Sequence, residues 1–159
     1  MATIPITLYS IGHSNVAAER LIALLEQHGI RTLCDVRSAP YSRYNPQFNR
    51  ESLAATLHTA GIAYRYMGDT LGGKPADGSR PNYEQIAATQ SFQRALSQLI
   101  DLGKRTPTAF MCGEADYHGC HRHRLIAPAL IERGVLVWHI LPDGGSERGA
   151  IEPQQLRMF

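Results

Sequence analysis

Residues 112–124 read CGEADYHGCHRHR and hold two of the chain's three cysteines, three of its seven histidines and Glu114 within thirteen positions. A thiolate is a nucleophile, imidazole and carboxylate move protons, and guanidinium holds anions, so the segment has the parts of a thiol active site. If Cys120 opens the helix that follows, the unpaired backbone donors there lower its thiol pKa, and Arg122 adds a planar fork for an anion. Cys112 ends an apolar run, where a cysteine often serves as a small hydrophobe, and Cys34 in TLCDV reads the same way. The reactive-cysteine phosphatase spacing fails, because Arg122 follows Cys112 by ten residues. His118, Cys120, His121 and His123 are metal-ligand types. However, there is no CxxC pair, and the adjacent Cys120 and His121 rarely close on one ion, so no metal site is assigned. A mononuclear site from His13, Cys112, Glu114 and His118 stays open.

The elements that must carry these residues are legible from periodicity. The runs at 6–11, 32–36, 63–67, 108–112 and 136–140 are short, rich in β-branched and aromatic residues and edged by turn signals, which predicts five strands. Between the first two, Ala17, Leu21, Leu24 and Leu25 recur at helical spacing, with Asn15 as the expected cap and Gly29 as the stop. A second helix follows with Leu53 and Leu57, ending at Gly61. A third spans 83–102 with Ile86, Phe92, Leu96, Leu99 and Ile100 on one face and a break near Gln90. The last, about 120–133, carries Leu125, Ile126, Ala129 and Leu130, and Pro128 inside it predicts a kink near Arg124 or a later start.

Alternation of this kind predicts an α/β fold, one three-layer domain over 1–159 with a mostly parallel sheet of about five strands and helices on both faces. Ligands in such sheets bind outside the carboxyl ends of the strands. Each chemically rich segment follows a strand, so His13, Asp35, Arg37, Arg43, Cys112, Glu114, Cys120, His121 and Arg122 are expected at one edge. Asp35 and Glu114 are expected to balance the arginines there. Segments at the other end, such as QHGIR and LGKRTP, read as connectors.

The remaining loops are less specific. LGGKPADGSRPNY lacks the GxxxxGK[ST] order of a triphosphate cradle, so Gly72 and Gly73 fit a lid better than a nucleotide loop, and no motif identifies a cofactor. Arg37, Arg43 and Arg50 mixed with Tyr41, Tyr44 and Phe48 can stack bases and neutralise phosphates, or the rings can plug a proline-broken loop onto the core. The formal net charge of +2 argues against broad duplex coating. Composition, 43% hydrophobic and 19% charged, is that of a globular domain. No eighteen apolar residues run together, so no membrane association is expected, and the N-terminus has no basic start before an apolar core, which points to the cytoplasm. There three cysteines are expected as free thiols.

SIGHSN, DVRSAPYSRYNPQFN, LHTAGIAYRYMGDTLGG, MCGEADYHGCHR and VWHI, in that order over about 7–140, resemble the uncharacterised domain-of-unknown-function family 488, leaving 141–159 as a C-terminal extension. The family's pattern is an opening GHS/T, a DVR followed by proline and arginine, a leucine–glycine–glycine, then CxE and CHR. The resemblance implies no established reaction; it marks His13, Asp35, Arg37, Arg43, Gly72, Gly73, Cys112, Glu114, Cys120, His121 and Arg122, and Pro128 departs from it.

The leading expectation is a small cytoplasmic enzyme that takes an anionic, nucleotide-like or nucleic-acid-derived substrate. Arg37, Arg43 and Arg122 would hold the anion, with Asp35, Gly72, Gly73 and His121 around it. Glu114 and His13 would carry protons and Cys112 or Cys120 would be the nucleophile. The rivals are a non-catalytic module for nucleotides or single-stranded nucleic acid, and a metal-bound or thiol redox-sensing protein.

Overall fold

Apolar strand runs and amphipathic helical segments alternate along the structure, a computed structural model that describes residues 5–73, 81–114 and 120–151. The strands are β1 (Thr7–Gly12), β2 (Thr32–Asp35), β3 (Ala63–Tyr66), β4 (Thr108–Cys112), β5 (Leu136–Ile140) and β6 (Ser146–Arg148). The helices are α1 (Ala18–Gln27), α2 (Arg50–Thr59), the short α3 (Gly68–Leu71), α4 (Tyr83–Ala88), α5 (Gln90–Arg105) and α6 (Ala127–Glu132). The sheet order is β3-β2-β4-β1-β5-β6, with only β6 antiparallel.

Alternating side chains assign the faces. Ile11, Leu33, Ala109 and Met111 pack with Leu21, Leu24 and Leu25 of α1 and Leu53 and Leu57 of α2. Leu8, Cys34 and Phe110 pack on the other face with Leu71, Phe92, Leu96, Leu99, Leu130 and their neighbours on α3 to α6. Each fully buried aliphatic or aromatic side chain contributes about 1.5–3 kcal/mol, so the two apolar layers fix which way each strand's outgoing loop turns.

Five strands fall where periodicity puts them. The sixth, β6, lies within the expected C-terminal extension; its residues SER are all exposed and carry no apolar alternation to betray it. Asn15 does not cap α1, whose cap position is Ala17 with no side-chain hydrogen bond. The break near Gln90 is a division into two helices, with Thr89 accepting from the Phe92 N–H to start α5. Lys104 and Arg105 in its last turn complement the helix dipole.

Pro128 has no N–H for an α-helical bond to Arg124. The chain inserts a wider π-helical stretch, Arg122–Ile126, closed by the Ala127 N–H on the Arg122 carbonyl, and α6 restarts with Pro128 in its first turn, where no donor is needed. The irregular turn falls on the segment that carries Arg122. No helix among the described residues is long and apolar enough to cross a membrane.

Candidate functional site

β4 lies between β1 and β2, yet the chain leaves β1 and β2 toward the face holding α1 and α2 and leaves β4 toward the opposite one. Outgoing loops that diverge from adjacent strands leave a crevice at their carboxyl ends. A cleft of about 240 Å³ occupies that place, lined by His13 after β1, Arg37 and Ser38 after β2, Cys112 at the end of β4, and Cys120 and His121 at the start of the last helical segment. The β1 and β4 loops are tied by the His13 N–H on the Cys112 carbonyl and the Ser14 N–H on the Gly113 carbonyl. A hollow of about 280 Å³ lined by Arg65, Tyr66 and Arg105 has no cysteine or histidine in its wall.

On the cleft floor the Cys112 and Cys120 sulfurs lie 2.6 Å apart, and both residues are buried free cysteines. Behind them Arg122 is 0% exposed. Its Nε donates to Cys112 Sγ at 2.8 Å, its Nη1 to Ser10 Oγ at 3.1 Å and its Nη2 to the Glu114 carbonyl at 2.6 Å. Among the described residues no carboxylate pairs with this guanidinium. A buried cation without a counter-charge costs several kcal/mol, and among the described residues the groups beside it able to supply one are the two thiols.

The hydrogen bond from the Cys112 thiol pulls the Cys120 pKa well below the ordinary thiol value against the opposing effect of burial, helped by the His121 ring with Nδ1 3.6 Å away. Burial, and the proton that Cys112 holds toward Cys120, push Cys112 up. Cys34, among core residues, is pushed up to about 12 by burial and is inert.

Ser14 has φ 53°, and its carbonyl accepts from His13 Nδ1 at 2.6 Å. This leaves the Nε2 lone pair facing Arg37 Nη1 at 3.3 Å. Burial, with the Phe48 ring 4.6 Å from the imidazole, lowers the His13 pKa, and the ring is neutral with Nε2 as an acceptor. Arg37 is held in a two-point ion pair with the fully buried Asp35, Nε to Oδ1 at 2.9 Å and Nη2 to Oδ2 at 2.8 Å. Tyr64 donates to the same carboxylate at 2.6 Å. Burial first, and that hydrogen bond second, raise the Tyr64 pKa.

The other singled-out residues have different placements. Glu114 lines the cleft as an exposed residue and gives Arg122 its backbone carbonyl. Arg122 lies behind the thiols and does not line the cleft; the fork expected to face an anion meets the Cys112 sulfur, the Ser10 hydroxyl and the Glu114 carbonyl. Arg43 is exposed over the Tyr44 ring at 5.5 Å and away from the cleft lining. Phe48 is a core residue and unavailable for base stacking, whereas Tyr41 and Tyr44 are 56% and 81% exposed. Gly72 lines the cleft where any Cβ would meet Ser38 Oγ at 2.2 Å. Gly73 has φ +76° and lies against His121. The expected lid beyond them, residues 74–80, lies outside the described residues, as do His118 and the side chain of His123. Among the described residues no group of three His, Cys, Asp or Glu is arranged to hold a metal ion.

Ser10, His139, Ser38 and Tyr64 escaped the sequence reading. Ser10 and His139 are register partners in β1 and β5, both 0% exposed and hydrogen-bonded to each other, so the polar network runs from His139 through Ser10 to Arg122 and the sulfurs. The signal was present: a serine and a histidine inside otherwise apolar strand runs need partners when buried.

A family model described as Domain of unknown function DUF488 matches residues 17–128. The match takes in Asp35 through Arg122 but stops short of His13. No curated protein and no solved structure matches the chain.

Proposed function

The chain belongs to the family described as Domain of unknown function DUF488, whose description carries no reaction, so activity has to be read from the site, and we propose a small thiol-dependent enzyme with Cys120 as its nucleophile. The observation that carries this reading is the wholly buried Arg122 guanidinium, which donates to the Cys112 sulfur against which Cys120 lies and meets no carboxylate among the described residues. A permanent cation there favours a thiolate at neutral pH, and a thiolate at the floor of a cleft is an activated nucleophile. The substrate class is an anionic electrophile, nucleotide-like or nucleic-acid-derived. Arg37 is the cation on the cleft wall, and His13 Nε2 accepts a proton from the reacting group. Arg122 and the Cys112 thiol stabilise the nucleophile from behind, and His121 flanks it. A reducing cytoplasm suits a site that depends on free thiols.

Alkylation by iodoacetamide, followed by peptide mass mapping, tests the reading. Cys120 should react at pH 6 to 7 much faster than an ordinary thiol of pKa about 8.5, with Cys34 untouched, and a nucleoside monophosphate should slow the reaction. Cys120 alkylation with the pH profile of a free thiol would refute it. A second reading rests on Tyr41 and Tyr44, exposed beside Arg43, which suit single-stranded nucleic acid. It requires a fluorescent oligonucleotide to bind and Tyr44→Ala to release it while Cys120→Ser does not.

A further inference from the structure

We propose that Cys120 and Cys112 form a hydroperoxide-reducing dithiol, Cys120 as the attacking and Cys112 as the resolving sulfur. The inference rests on Cys120 being the site's nucleophile and adds a substrate class and a second chemical step. Three observations carry it. First, the sulfurs lie 2.6 Å apart, so a product on one is within immediate reach of the other. Second, their surroundings differ. Cys112 Sγ accepts from Arg122 Nε in the buried wall, whereas Cys120 Sγ opens the helical segment beside the His121 ring, 3.6 Å from its Nδ1. An attacking thiolate beside a resolving thiol is the arrangement that dithiol reduction needs. Third, both cysteines line the cleft, yet only 2% of Cys112 and 4% of Cys120 is exposed. A narrow electrophile can reach such sulfurs, and a protein disulfide cannot.

The steps balance. Cys120 thiolate attacks the terminal oxygen of R–O–OH, the O–O bond breaks, and Cys120 becomes a sulfenic acid as RO⁻ leaves. The alkoxide takes a proton from water, with Arg37 on the cleft wall to stabilise its charge. Cys112 then attacks the Cys120 sulfur, a disulfide forms, and the sulfenic hydroxyl departs with the Cys112 proton as water. In total one hydroperoxide and two thiols give one alcohol, or water when R is hydrogen, plus one water and one disulfide. A low-molecular-weight thiol returns the pair to its reduced form by exchange.

The test uses the full chain, reduced, desalted and treated with equimolar hydrogen peroxide. Thiol titration and peptide mapping should show two thiols lost per peroxide consumed, a Cys112–Cys120 bridge, and Cys34 free, which also reports that the protein stayed folded. Cys112→Ser should accumulate a Cys120 sulfenic acid trapped by dimedone, and Cys120→Ser should consume peroxide about tenfold or more slowly. Peroxide consumption unchanged in Cys120→Ser, or no bridge in the wild type while Cys120 still alkylates rapidly, overturns the peroxide chemistry and leaves the thiol-enzyme reading standing. Slow alkylation together with no bridge overturns both.

Discussion

Arg122→Met removes the positive charge that the thiol pair faces while keeping a long, apolar side chain in its place. The guanidinium Nε is 2.8 Å from Cys112 Sγ, and that sulfur is 2.6 Å from Cys120 Sγ. Nε and the Cys120 sulfur are therefore at most about 5.4 Å apart, and at an effective dielectric of about 20 unit charges at that separation attract by about 3 kcal/mol, worth about 2 pH units. The Cys120 alkylation profile should move up in pH by about that amount in Arg122→Met. Losing the cation also strips Ser10 Oγ and the Glu114 carbonyl of a donor each, so the variant should be less stable by about 2–4 kcal/mol by urea unfolding. Arg122→Lys keeps the charge but loses the fork, and should shift the profile by less than half as much. The assay is the iodoacetamide rate at Cys120 between pH 4 and 9 in each protein, with Cys34 protection as the folding control. A folded Arg122→Met protein with the wild-type profile would refute the counter-charge argument.

Burial holds the His13 pKa below its ordinary 6.5, so the unfolded chain binds the proton first, and stability present above pH 6.5 should decline as pH falls toward the folded-state value. His13→Asn should flatten that part of the profile of Tm against pH, and an unchanged slope would assign it to other groups. Arg37→Leu leaves the Asp35 carboxylate buried with only Tyr64 and a backbone N–H, at a cost of about 3–5 kcal/mol in urea unfolding. Tyr64→Phe, which removes one hydrogen bond from that carboxylate, should cost about 1–3 kcal/mol, and the reverse ranking would mean that the ion pair is not what holds Asp35. Sulfate or a nucleotide should raise the wild-type Tm by mass action, Arg105→Ala at the opposite end of the sheet should keep that response, and its loss there would place the anion outside the crevice.

Strand and helix positions were legible because the signals that set them are local: apolar runs of strand length, helical spacing of leucines, and the punctuation of glycine and proline. β4 is TAFMC from Thr108 to Cys112, as periodicity has it, and Pro128 did force an irregular turn near Arg124. β6 was invisible for the same reason in reverse. Its exposed SER has no burial pattern, and only pairing with β5 makes it a strand. Alternation of strands and helices also implied that the chemical residues gather at one sheet edge, and the cleft lies there.

What each of those residues does there depended on distances that spacing along the chain does not encode. Arg37 and Arg122 look alike in sequence, yet one is spent on Asp35 two residues away and lines the cleft, while the other is wholly buried against sulfur. Arg43 shares their composition cue and is exposed over Tyr44. Cys112 and Cys120 are eight residues apart along the chain and 2.6 Å apart in space, because one ends a central strand and the other begins a helix that folds back over it. Sequence supplied the ionisable groups and the edge on which they meet. Only the tertiary structure decided which of them carry charge, because charge in a buried site is set by desolvation and by the nearest counter-charge, and both arise from β1, β4, β5 and the last helix packing together.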